Sequence, residues 1–154
     1  MVIREAGLLF RGFTLVSAQF QETGAEKIDK DLRSGLLTAI LSFAECAFDS
    51  NTIEYFEGKK FVIAFIHDKI NAHDSIDPEL FVGYAILSKQ KKIGKYIRKN
   101  VIPSLQLIIL QFKSMFEGKN LSEVSQFKEF ESVLGSTFGN STKKTGQKLE
   151  GVFY

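Results

Sequence analysis

A single cysteine, two prolines and no tryptophan among 154 residues remove several classes of protein at once. One thiol, Cys46, can form no intrachain disulfide and cannot by itself build a zinc site, so a reducing compartment fits. Neither sign of charge dominates: 20 Lys and Arg stand against 18 Asp and Glu, a net charge of +2. That is too small to imply nucleic acid, whose readers need a basic stripe. Long hydrophobic runs are missing too. The longest apolar stretch, residues 101–112, is interrupted by Pro103 and glutamines and falls short of the roughly 20 residues that cross a bilayer. The opening residues, MVIREAG, carry an acid, lead with no cationic segment into a signal-type core, and place no glycine at position 2; the last residues form no prenylation box. The expectation is a soluble cytoplasmic protein with no transmembrane segment, for which peripheral contact with membranes stays open.

What is present is ordinary for a globular domain: 44% apolar and 25% charged residues, with 15 Phe as the main aromatic filler. At this length one core suffices. Residues 2–10 and 13–20 flank Arg11-Gly12 and predict a hairpin, the second arm mixing polar and apolar residues like an edge strand. A helix is expected over residues 31–48, where Leu32, Leu36, Ile40, Phe43, Ala44 and Ala47 recur at helical spacing and Leu37, Leu41 and Phe48 widen the stripe. Gly35 within it is read as a point of close approach to a strand. Three strands follow, the first turning at residues 57–60 into 61–66, and the last at 81–87. The last two are unbroken apolar runs suited to burial on both faces. A second helical pattern runs from about Ser88 to Phe116, with a kink or break expected near Asn100 because Pro103 lies inside it. Ser122 is a candidate cap for a last helix carrying Val124, Phe127, Phe130 and Leu134, which Gly135 is expected to stop. Residues 136–154 read as a polar, glycine-rich tail on which Val152, Phe153 and Tyr154 are the only docking candidates.

The order strand, strand, helix, three strands, two helices predicts an α+β fold. Its expected form is a three-layer α-β-α sandwich with a five-stranded antiparallel sheet, one helix on one face and two on the other. Over residues 1–135 this order resembles the longin domain of the longin/roadblock-like superfamily, in free-standing form. The residues that carry the likeness are the opening hairpin 3–20, the long helix 31–48, the strand triplet 53–87 and the paired helices after Lys91. A roadblock domain would place an extra helix before the first strand. The resemblance implies a non-enzymatic protein-interaction module without a cofactor. Such a module would act as a homo- or heterodimer, or as a subunit that binds or regulates a small GTPase, another longin/roadblock-like chain or a trafficking-type complex. A membrane-fusion role is disfavoured, since no heptad-bearing segment follows the domain. The alternative is a small-molecule sensor with a profilin/PAS-like fold, its pocket beside Gly35 and Gly83.

Chemistry-bearing clusters are sparse. The 67–79 loop holds both histidines, His67 and His73, with Asp68, Asp74, Asp77 and Glu79. Its spacing matches neither a zinc-protease helix nor a calcium loop, so it reads as a solvated turn and no metal is expected. Cys46, beside Phe43 and Ala47, reads as a small hydrophobe. The glycines of 135–139 lack the Gly-Lys-Ser/Thr ending of a phosphate-binding loop. Lys89, Lys91, Lys92, Lys95, Arg98 and Lys99 form the one dense basic cluster. Such a run ordinarily makes a solvated face. Cations early in a helix oppose its dipole, however, which makes these six the candidate contact for an acidic partner or an anionic membrane.

Overall fold

The computed structural model describes residues 3–11, 13–20, 35, 38, 39, 42 and 55–142. Strand β1 (Ile3–Phe10) turns at Arg11, whose φ of 51° is left-handed, into β2 (Phe13–Gln19). The three-residue β3 (Tyr55–Glu57) leads into the long β4 (Phe61–Ile70) and β5 (Glu79–Ser88). All pairs are antiparallel. The order across the sheet is β2-β1-β5-β4, with β3 added beyond β4.

This is an α+β fold, but not the expected three-layer sandwich. The sheet proper has four full-length strands. Of the expected fifth, the described residues show a strip, Tyr55–Glu57, paired with Val62, Ile63 and Ala64. Beyond that point β4 turns polar, with Ile66, His67 and Asp68 half-buried and Lys69 exposed, which leaves a longer partner strand little apolar surface to cover. The layers differ as well: the long helices α2 (Ile102–Phe116) and α3 (Phe130–Thr142) pack on one face of the sheet, as expected of that pair, but no third long helix is described over the other face. Of the helix expected at 31–48, only Gly35, Thr38, Ala39 and Ser42 are described. They are helical and exposed, three and four apart on one side, and a Cβ at Gly35 would meet nothing within 4 Å. Gly35 therefore marks no close approach. The apolar stripe of that helix, Cys46 and residues 143–154 lie outside the described residues.

Each face of the sheet is buried. On the helix side, Val62, Ala64, Phe81, Ala85 and Leu87 join Ala6, Leu8 and Phe10 beneath α2 and α3. On the other side lie Leu9, Phe61, Ile63, Phe65, Val82, Tyr84 and Ile86. A bulge between Ile3 and Glu5 in the β1–β5 ladder shifts the pairing, as one extra residue must. Ile3 accordingly joins the helix-side core, while Glu5 faces the opposite side and stays buried, accepting a hydrogen bond from the Tyr84 hydroxyl.

The helical run after β5 does not break at Asn100. A short α1 (Ile93–Tyr96) passes into a π-helical turn, Ile97–Val101, and then into α2. Pro103 has no N–H and crowds the carbonyl one turn earlier, and one wider turn absorbs both defects while keeping the chain helical. Ser104 Oγ donates to the Asn100 carbonyl at 2.8 Å. Ile93, Ile97, Val101, Leu105, Ile108, Phe112 and Phe116 all remain buried. Phe112 is the hub, with ring centroids 4.9 to 6.1 Å from Phe81, Phe116, Phe127 and Phe130.

Residues 124–127 form a 3-10 turn rather than the start of an α-helix. α3 begins at Phe130, runs through Gly135 and continues to Thr142. Burial of Phe138 at 0% exposure supplies a reason for the helix to continue where glycine alone would let it stop.

Two glycines predict opposite outcomes. A Cβ at Gly7 would lie 2.6 Å from the Val16 carbonyl oxygen and 2.9 Å from the Tyr84 hydroxyl, so Gly7→Ala should destabilise by about 1–3 kcal/mol through overpacking. Gly135, with nothing within 4 Å of such a Cβ, should gain about 0.5–1 kcal/mol as alanine in a helix. Urea denaturation of both variants checks the contrast.

Candidate functional site

The antiparallel register sends charged groups to two ends of the sheet. Ile70 pairs with Glu79 at one end of the β4–β5 ladder and Phe61 with Ser88 at the other, about 30 Å apart at the rise of an antiparallel strand.

At the first end Arg11, lifted by its left-handed turn, grips two acids. Its Nε donates to Glu79 Oε1 at 3.0 Å, and its Nη2 donates to Asp74 Oδ1 at 2.9 Å and to Glu79 Oε2. The guanidinium also lies 4.8 Å from the centroid of Phe10. Ser75 Oγ donates to Glu79 and accepts the Ala72 N–H. Hydrogen bonding to Arg11 holds both the Asp74 and Glu79 carboxyls below their usual range. The loop is tied down further, because the His73 N–H donates to the Lys119 carbonyl at 2.9 Å and the Gly118 N–H to that of Asn71 at 2.7 Å. His73 is exposed near Asp74, whereas His67 sits on β4. No group of three or more His, Cys, Asp or Glu side chains able to hold a metal occurs among the described residues. Two of the loop's acids, Asp74 and Glu79, are instead held by Arg11, which makes this end a clasp between the first hairpin and the β4–β5 loop.

The opposite end is basic. Lys89, Lys91, Lys92, Lys95, Arg98 and Lys99 are all exposed, and the fold does bring them together, on the exit of β5, α1 and the π-helical turn. It adds two that the linear reading left out. The Lys89 N–H donates to the Lys60 carbonyl at 3.0 Å, which sets the Lys59-Lys60 turn beside the cluster. The signal was available in sequence: once 61–66 and 81–87 are paired antiparallel, the start of one must neighbour the end of the other. Glu57 is the one acid in these stretches and stands 3.4 Å from Lys89 Nζ. Lys59, Lys91, Lys92, Lys95 and Lys99 have no ion pair among the described residues. Arg98 lies 6.0 Å from the Tyr55 ring, and the Tyr96 hydroxyl is buried without a hydrogen-bond partner.

Residues 57–60 and 89–99 thus hold eight cations and one acid, a local charge of +7. With a whole-chain charge of +2, the remainder carries −5. The near-neutral total conceals a segregated surface. Beside the basic end, the outer side of α2 is uncharged from Asn100 to Gln111 and exposes Leu107 at 48% and Leu110 at 66%.

Gly83, one of the two glycines invoked for a ligand pocket, is closely packed. A Cβ at Gly83 would lie 3.2 Å from Ile109 Cδ1 and 3.5 Å from Leu8 Cδ2, so side chains fill the space between sheet and α2. No helix among the described residues is long and apolar enough to cross a membrane. No family model, curated protein or solved structure matches the chain.

The clasp has a pH signature. Carboxyls held low in the folded state contribute stability that is present above their ordinary titration range and is lost as pH falls through the folded values. In Arg11→Ala, Asp74 and Glu79 should both return upward toward the ordinary carboxylate range, and the acid-sensitive part of stability should shrink. Carboxyl-detected NMR titration of both proteins measures this.

Proposed function

We propose that the chain is a non-enzymatic protein-interaction module resembling longin domains, working as a dimer or as a subunit that binds or regulates a small GTPase or a trafficking-type assembly. The observation that carries this reading is the open side of β2. That strand pairs only with β1 among the described residues, and its Phe13, Thr14, Ser17 and Ala18 are half-exposed. An unpaired edge of this kind accepts a strand from another chain through main-chain hydrogen bonds. The opening hairpin and the antiparallel run β3-β4-β5 followed by helices are the described features that support the likeness to longins; the long helix expected at 31–48, which also carries it, lies mostly outside the described residues.

Nothing in the geometry favours the sensor alternative, since the gap beside Gly83 is packed by Ile109. Light scattering of the purified chain, with pull-down of small GTPases in both nucleotide states, tests the proposal. The expected result is a dimer or a retained GTPase, weakened at least tenfold by Thr14→Lys with Gln19→Lys, charges that blunt an edge. A strict monomer that retains no GTPase in either state would overturn it.

A further inference from the structure

We propose that the basic end of the sheet, continued by the outer face of α2, is a docking surface for an anionic phospholipid bilayer. The inference stands independently of the edge-strand reading, because it uses different residues.

Three observations carry it. First, the cations come from the β3–β4 turn, the exit of β5 and the π-helical turn, and only Glu57 offsets them within those stretches. Five of them, Lys59, Lys91, Lys92, Lys95 and Lys99, are exposed with no ion pair among the described residues, and an external anionic field relieves the repulsion between such like charges. Second, the composition is seven lysines to one arginine. Lysine is a hydrated point charge without the planar fork that reads a fixed acceptor geometry, and it is depleted in protein interfaces, which favour Tyr, Trp and Arg. A diffuse layer of phosphate and carboxylate headgroups asks only for positive charge. Third, Leu107 and Leu110 stand exposed where the same helical run continues, with no charged residue between Lys99 and Lys113. Apolar side chains beside a lysine field match a surface that sits at headgroup level.

A nucleic acid is the weaker fit. Bases are held by stacking on exposed aromatics or by forked contacts to their edges, and the aromatics here, Tyr55 and Tyr96, are half-buried.

Co-sedimentation of the full chain with phosphatidylcholine vesicles, with and without about 30% phosphatidylserine, is the test. Binding is expected only to the anionic vesicles and should be largely lost in high salt. Each engaged cation is worth about fivefold. Lys91→Glu with Lys95→Glu and Lys99→Glu should therefore weaken binding by about 100-fold or more, and Lys59→Gln alone by about fivefold. Leu107→Ser with Leu110→Ser should weaken it by about tenfold with the salt dependence retained. All these side chains are exposed, and circular dichroism confirms that each variant is folded. Equal binding to neutral and anionic vesicles, no binding to either, or binding to an acidic protein or to RNA with none to anionic vesicles would each overturn the proposal.

Discussion

Burial of the central strands on both faces is the constraint from which the rest of the structure follows. β5 is buried from Phe81 to Leu87, with exposures of 1% or less for every side chain larger than glycine's, and β1 beside it is nearly as enclosed. Such strands exclude unpaired polar groups. The one buried acid among the described residues, Glu5, is reached by a bulge and met by the Tyr84 hydroxyl, while Gly7 leaves the space that this hydroxyl occupies. Polar chemistry is thereby pushed to the ends of the sheet and to the outer surfaces of the helices.

The two ends then divide the labour. At one, charges are mutually satisfied: Arg11 joins Asp74 and Glu79 across 63 and 68 residues of chain and fixes a hairpin to a loop. At the other, cations accumulate with one acid among them. Exposed pairs contribute little to stability in water, so neither end holds the fold together; the phenylalanine hub around Phe112 does that. What the ends differ in is what they offer a partner. The clasp has used its charges, whereas the basic end holds five lysines with no ion pair among the described residues.

Much of this was legible in the residues. Unbroken apolar runs at 61–66 and 81–87 announced two-sided burial, and the hairpin turn at Arg11 was marked by the residues around it. The lysines 89–99 were visible as a cluster without any fold. Less legible were features set by register and by tertiary contact. β4 runs on past its apolar half through His67, Asp68 and Lys69 to Ile70, which a reading of the apolar run at 61–66 does not reach. The passage of α3 through Gly135 depended on Phe138 finding the core, a long-range gain that overrides a local stop signal. Pro103 correctly flagged a disturbed turn, but whether a proline breaks, kinks or widens a helix depends on what the helix packs against. Here Ile93, Ile97 and Val101 all stay buried through the widened turn. Lys59 and Lys60 joined the basic end only through strand pairing, and composition averaged the +7 away.

The central claim is that docking on an anionic bilayer is made through the basic end and not through the clasp. Hydrogen–deuterium exchange on the full chain, with and without anionic vesicles, reads this directly. The account predicts added protection at residues 58–60 and 89–100, extending along α2 toward residue 111, with the 71–79 loop unchanged. Protection confined to the 71–79 loop, or to β2 alone, would contradict it.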